Sequence, residues 1–346
     1  MLEPRPAVRR MAPYSPPSAG RAGKLRLDFN ENTVGASPRV AAVLQRYLTC
    51  EALSVYPEYV EAKPALARFF GVASGEFILS NGTDEAIQVL VNTYVDNDDH
   101  VLTLKPSYAM YQFYAELAGA CVRAIAYREN TLEFPLDELL AAITPQTRAI
   151  LIANPNNPTG TAIADVIPIL EAAPQAAVLI DEAYHEFCGL TALPLLARYP
   201  NLFVSRTFSK VYGMAAMRVG CLFSQAANIQ WLHKSQSPYS VNMLAAVAAR
   251  AAVEDTEYVR SYVEEALAAR AMLCDGFDRL GVRYWPSQAN FVLFHIGERS
   301  IEIRDKLRER GILVRDRGYE LPGTIRVTAG TREQAARFLG ELEKLL

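Results

Sequence analysis

Ala177-Val178-Leu179-Ile180-Asp181-Glu182-Ala183-Tyr184 is the stretch that decides the fold class. Four consecutive apolar residues, without alternation, suit a strand covered on both faces, as in a parallel sheet flanked by helices. The run stops on a carboxylate, and a buried carboxylate is costly unless something pairs with it. Upstream, Ala149-Ile150-Leu151-Ile152 repeats the apolar run and leads into Asn154-Pro155-Asn156-Asn157-Pro158-Thr159-Gly160. Phe77-Ile78-Leu79 and His100 to Leu104 are earlier strands, with helices expected from Thr83 and from Ser107. Downstream, Asn201 to Ser205 and Val219 to Phe223 continue the series. Strands alternating with helices predict an α/β fold with a mostly parallel sheet. Ligands bind beyond the strand ends of such sheets, which is where the polar clusters fall.

The texture changes near residue 240. An Ala-, Glu- and Arg-rich helical stretch runs through Arg270, and its middle can link two domains. Strands at Phe291 to Phe294 and Thr324 to Val327 follow, with helices near 299–310 and 331–346, giving a smaller α+β domain. The expected division is 36–245 for the large domain and 246–346 for the small one. Residues 1 to about 24, rich in Pro, Arg, Ala and Ser, read as an irregular arm rather than a packed element.

Arg206-Thr207-Phe208-Ser209-Lys210 follows one of these strands, with Arg218 eight residues beyond Lys210. Taken singly, a Ser-Lys pair is a surface feature, an Asp-x-x-Tyr a helix start, and Asn-Pro-Thr-Gly a turn. Together, and in this order, they match what pyridoxal phosphate needs. Lys210 supplies an amine for the cofactor's aldehyde. Asp181 holds the pyridine nitrogen protonated, while Tyr184 and Asn157 can reach the ring oxygen. Asn81-Gly82-Thr83-Asp84 lies between a strand and a helix, where Gly82 lets the backbone approach and free N–H groups favour an anion. Thr207, Ser209 and Arg218 complete that phosphate cradle. Asp84 looks electrostatically wrong beside a phosphate and is read as a helix-cap residue acting through its backbone.

These motifs, with Asn30-Glu31-Asn32, Tyr56-Pro57-Glu58, Pro106-Ser107-Tyr108 and Ile325-Arg326-Val327-Thr328, resemble those of fold-type I pyridoxal-phosphate aminotransferases. Within that superfamily the chain is most similar to the histidinol-phosphate aminotransferases, from about Leu27 to the C-terminal helix. The resemblance implies that the N-terminal segment, residues 1–35, joins the small domain. It implies a homodimer in which Tyr56 is donated to the partner's cofactor site, and Tyr108 stacked on the cofactor ring. It assigns Arg315 and Arg326 to the substrate's anionic group, a task a guanidinium fork performs bidentately, and places Asn32 and Tyr14 on the substrate side. Two departures touch the pocket: Thr33-Val34-Gly35 stands where the family usually carries a proline, and Ala216 where it carries a glycine.

With 346 residues, 51% of them hydrophobic, the chain can bury two cores. A net charge of −3 without a basic cluster argues against nucleic acid. No apolar run reaches membrane-spanning length, and the N-terminus lacks the apolar core of a secretory signal. The five cysteines, scattered and odd in number, read as reduced core residues of a cytoplasmic protein. The four dispersed histidines argue against a metal site. The leading expectation is transamination of L-histidinol phosphate with 2-oxoglutarate. An aromatic amino acid aminotransferase and a pyridoxal-phosphate decarboxylase of an amino acid phosphate ester remain alternatives. A non-enzymatic cofactor-binding regulator would need a fused DNA-binding segment, for which the arm is too short.

Overall fold

A computed structural model describes residues 2–13 and 19–346. Seven strands form the large sheet. Their spatial order is Phe77–Ser80, Gly220–Phe223, Leu202–Thr207, Ala177–Asp181, Thr147–Ala153, His100–Lys105 and Cys121–Ala126. Only Gly220–Phe223 runs against its neighbours; the other pairings are parallel. The central strands are buried along their length except at Arg148, as continuous apolar runs require. One apolar cluster, built around Ile150, Ile180 and Val204, fills one face of the sheet, and another, around Leu151, Leu179 and Phe203, fills the other. Side chains alternate across a strand, so each run feeds both layers.

The second sheet is antiparallel, in the order Arg315–Asp316, Thr324–Thr328, Phe291–His295 and Tyr284–Trp285. It packs with the helices Thr256–Leu280 and Arg332–Glu343 around Phe277, Phe294 and Phe338. Leu25–Arg26 pairs in parallel with Ile312–Leu313, which brings Leu27 into this second core. The segment after it therefore enters the molecule pinned on one side.

Several details differ from expectation. The stretch through Arg270 is two helices, Met243–Val253 and Thr256–Leu280, because Asp255 breaks off and caps the second by accepting from Tyr258 N at 3.3 Å. Ser107 precedes its helix, which spans Ala109–Ala118. The arm is not wholly irregular. Pro6–Arg10 is a short helix with Ala7 buried, and Arg5 donates to the carbonyl of Leu117. Pro at the first helical position suits that start. All five cysteines are free, but only Cys221 is buried; Cys50 and Cys121 are exposed on elements that lie at the surface. Among the described residues, no helix is long and apolar enough to cross a membrane, and no group of three or more His, Cys, Asp or Glu could hold a metal.

Candidate active site

Segments following five strands of the large sheet, with the 28–31 turn, line a cavity of about 250 Å³. Lys210, Asp181, Tyr184, Asn157, Thr207, Ser209, Arg218, Thr83, Asp84 and Tyr108 all line it. Asp181 is the last residue of its strand and 3% exposed. Its carboxylate accepts from Tyr111 Oη and from Ser205 Oγ, each at 2.7 Å. Burial raises its pKa, and these two hydrogen bonds only partly oppose that. No cation pairs with it among the described residues. Next to it, Glu182 does have one: Arg206 at 2.7 Å, both side chains nearly inaccessible. That pair anchors the backbone behind Asp181, and removing either partner would strand a buried charge.

Lys210 Nζ donates to the carbonyl of Phe29 at 2.9 Å and lies 5.9 Å from the Tyr184 ring centroid. Tyr184 Oη accepts from Asn30 Nδ2 at 2.9 Å. Asn30 itself adopts a left-handed backbone, φ 56°, which lets the turn at 28–31 fold back on the cavity.

At the other end, Gly82 starts the helix Gly82–Tyr94 with φ 75°. That left-handed backbone favours glycine, and a Cβ there would also come within 2.5 Å of the tip of the Arg218 guanidinium, which would have to shift. Arg218 also adopts φ 52° and reaches Ser209 Oγ at 3.5 Å. Thr207 Oγ1 accepts from Ser209 N at 3.1 Å. Asp84 is not a cap acting through its backbone. It sits in the first helical turn, and its carboxylate accepts from Arg218 at 3.1 Å and from Tyr108 Oη at 2.6 Å. The charge that looked out of place is neutralised by the arginine that faces it.

Arg326 is 4% exposed, with a hydrogen bond to Asn157 Oδ1 and another to the carbonyl of Asp28. Its Nε has no partner, and among the described residues no carboxylate bridges to it. Burial pulls its pKa down to about 10. Arg315 is its cross-strand neighbour, so both guanidiniums leave one face of the sheet. Arg315 nevertheless lines an adjacent cavity of about 520 Å³, its guanidinium 5.7 Å from the ring of Phe29, which itself lines the main one.

Besides Arg315, three expected residues are not gathered here. Asn32 does not line the cavity: its Oδ1 accepts from Val34 N and Gly35 N and its Nδ2 donates to Val211 O, which uses up the side chain in a turn. Tyr56 is 74% exposed and stacks on Tyr239 at 4.6 Å. Tyr14 falls outside the described residues. Conversely, Tyr111 and Phe29 escaped the sequence reading, which quoted Asn30 and Glu31 only as part of a motif and gave neither a role. Tyr111 was findable, since it lies three residues after Tyr108, which puts the two on one side of a helix.

The model of aminotransferase class I and II matches residues 22–342. The chain belongs to that family. The histidinol-phosphate aminotransferase of Symbiobacterium thermophilum is 37% identical, over 100% of this chain and 99% of its own length. Histidinol-phosphate aminotransferase 2 of Methylococcus capsulatus is 33% identical over 99% and 97%. Among solved structures, the histidinol-phosphate aminotransferase of Sinorhizobium meliloti in complex with pyridoxal-5'-phosphate superposes with a TM-score of 0.88 at 24% identity, covering 100% of this chain and 99% of that one. In this chain the amine of Lys210, the unpaired carboxylate of Asp181 and the guanidinium of Arg218 converge at the strand ends of the largely parallel sheet.

Proposed function

We propose that this chain transfers the amino group of L-histidinol phosphate to 2-oxoglutarate, giving imidazole acetol phosphate and L-glutamate, with pyridoxal 5'-phosphate as cofactor. The observation that carries the reading is the pair of buried charges without counterions. Asp181 calls for a cation, and the protonated pyridine nitrogen is one; Arg326 calls for an anion, and the substrate supplies it. Full-length similarity to named histidinol-phosphate aminotransferases supports the choice of substrate.

Gly82, Thr83, Thr207, Ser209 and Arg218 would hold the cofactor phosphate, in a cradle where Gly82 leaves room that a Cβ would take. Asp84 keeps Arg218 in place from the side. Tyr184 and Asn157 would bind the ring oxygen, and Tyr108 the ring face. When bound, the cofactor supplies an electron sink for the bonds at the substrate's amino carbon. Lys210 holds and moves the proton at that carbon, from a position fixed by the Phe29 carbonyl. Asp181 keeps the ring nitrogen protonated, and Tyr111 and Ser205 keep Asp181 in line.

Arg326 and Arg315 would bind the donor's phosphate and, in the second half-reaction, the acceptor's carboxylate. Losing a charged hydrogen-bonding partner costs about 1.5–3 kcal/mol, roughly one to two decades in kcat/KM. Arg326→Ala is expected to lose that much in both half-reactions. Arg315→Ala should hurt the phosphate ester more than the oxo acid, because a dianion gains more from a second guanidinium. Separate half-reaction kinetics with histidinol phosphate, phenylalanine and 2-oxoglutarate check this. Faster turnover of phenylalanine than of histidinol phosphate would transfer the reading to aromatic amino acids, and carbon dioxide release from an amino acid phosphate ester to decarboxylation.

The same reading extends to assembly: a cytoplasmic homodimer with a large domain at 36–245 and a small one at 246–346, which the segment 1–35 joins through Leu25 to Leu27 while Arg5 bonds to Leu117 on the large domain, and with the helix Met243–Val253 running across the boundary. Leu48, Leu53, Val55, Tyr56 and Val60 are all more than half exposed on one stretch of a single chain, and a contiguous apolar surface of this kind favours a partner. Tyr56 would then complete the neighbour's phosphate site. Mixing Tyr56→Phe with Lys210→Ala chains is expected to restore activity, since a hybrid dimer holds one site with both residues intact. No gain over the parents, with subunit exchange verified and Tyr56→Phe impaired alone, rejects the shared site.

A further inference from the structure

Arg21 lies outside the cavity, yet everything it touches leads into it. Its guanidinium takes Asp28 on two atoms, Nε to Oδ2 at 3.1 Å and one terminal nitrogen to Oδ1 at 2.9 Å. The same terminal nitrogen and the other one donate to the two oxygens of Glu31, at 2.7 and 3.3 Å. The guanidinium carbon stands 4.2 Å from the centroid of the Phe29 ring. Three of the four residues of the 28–31 turn are thus held by one side chain, itself largely buried. Burial disfavours the Arg21 cation, but the two carboxylates more than offset it, so its pKa lies above the ordinary value. Two fork-like contacts and a ring stack from one rigid, planar group fix direction as well as distance.

The turn is the common support of the site. The Phe29 carbonyl accepts from Lys210 Nζ at 2.9 Å. Asn30 donates to Tyr184 Oη at 2.9 Å. The Asp28 carbonyl accepts from Arg326. Nothing else in the chain touches the amine, the phenol and the buried guanidinium through consecutive residues, among the contacts of the described residues. We infer that Arg21 is a positioning residue for the aminotransferase reaction: by clamping Asp28, Phe29 and Glu31 it sets where the Lys210 amine sits and balances the negative charge beside it. The inference rests on the function proposed above, in which Lys210 carries the proton.

Two consequences separate positioning from mere support of the fold. Arg21→Gln leaves the Asp28 and Glu31 carboxylates facing each other, with Glu31 in the cavity wall and only Arg26, at 3.5 Å, still near it. Added negative charge favours a protonated nitrogen at Lys210. Glu31→Gln does the reverse, because Arg21 then has a single carboxylate. The other charged groups lining the cavity are Asp84 with Arg218, and Asp181. Tyr108, Tyr111 and Tyr184 are the phenols around it, and neither variant alters any of these groups.

The test uses the full-length holoenzyme. Visible absorbance of the lysine-bound cofactor is titrated with pH, alongside kcat, KM and the thermal midpoint. Borohydride reduction followed by peptide mapping first places the pyridoxyl group in the wild type; a site other than Lys210 would sink the proposed function itself. With Lys210 established, Arg21→Gln should move the absorbance transition to higher pH by about half a unit or more, the effect of one uncompensated charge several ångströms away. Glu31→Gln should move it to lower pH, and both should lower kcat more than they raise KM. Arg21→Lys should bring the transition back towards wild type while recovering only part of kcat, since an ammonium restores charge without the planar fork. If Arg21→Gln does not fold, the Glu31→Gln and Arg21→Lys arms still decide. Transitions that coincide with wild type in every variant that folds, whatever happens to thermal stability, overturn the inference.

Discussion

Lys210→Ala is expected to fold, to bind pyridoxal phosphate weakly, and to lose transamination almost completely. The side chain contributes one hydrogen bond to the fold, to the Phe29 carbonyl, and its removal leaves that carbonyl at the edge of an open cavity where water can replace the amine. Stability should therefore fall by no more than about 1 kcal/mol. Catalysis loses far more. In the proposed function Lys210 is the point of covalent attachment, and it is the only amine lining the cavity among the described residues. Positioned proton transfer alone is worth on the order of 10²–10⁴-fold, and covalent attachment adds to it. The measurement is single-turnover amino transfer, together with the visible spectrum. A variant retaining more than about a tenth of the wild-type rate, under one decade of lost transition-state stabilisation, would assign the proton transfer to another group.

How much of this site could be read in the sequence depended on how local each signal was. Asp181 was legible because it ends a continuous apolar run that suits a doubly covered strand, and Lys210 because Thr207, Ser209 and Arg218 stand around it in the chain; all of them line the cavity. The edge strand Cys121–Ala126 gave no such run. Most of it is exposed, with Ile125 the one buried residue, so an arginine at 123 interrupts the apolar run at little cost. Asp84 was misread because its partner, Arg218, lies 134 residues away and arrives through an antiparallel strand. Asn30 and Asn32 are the same residue type two positions apart. What separates them is backbone: the positive φ of Asn30 aims its amide at Tyr184, while Asn32 closes a turn. Spacing cannot show that. Arg315 and Arg326 read alike as strand arginines, yet one is buried and the other half-buried beside a second cavity, a distinction set by which strand lies at the sheet edge.

Asp181→Asn separates the cost of a buried charge from its use. In the protein without cofactor, the Asp181 carboxylate has only neutral donors, Tyr111, Ser205 and the Ala183 backbone, and burial raises its pKa. A carboxyl group whose folded pKa exceeds its unfolded value opposes folding once ionised. The penalty is absent at pH values below the unfolded pKa, about 3.9, grows as pH rises from there to the folded pKa, and is constant above it. The asparagine variant carries no such penalty and can still accept from Tyr111. The cofactor-free variant should therefore be more stable than cofactor-free wild type near neutrality, with the difference closing as pH falls towards 4. Adding pyridoxal phosphate should reverse the order. In wild type the ring nitrogen supplies the missing cation, whereas an amide cannot hold that nitrogen protonated. Thermal midpoints with and without cofactor, across pH, give the crossing directly. Turnover should fall by at least about a hundredfold, near 2.7 kcal/mol of lost transition-state stabilisation, because the electron sink matters most where charge develops. A near-normal kcat in Asp181→Asn, or a cofactor-free variant less stable than wild type at pH 7, would mean that Asp181 is held by the fold for a structural reason and that the ring nitrogen finds its proton elsewhere.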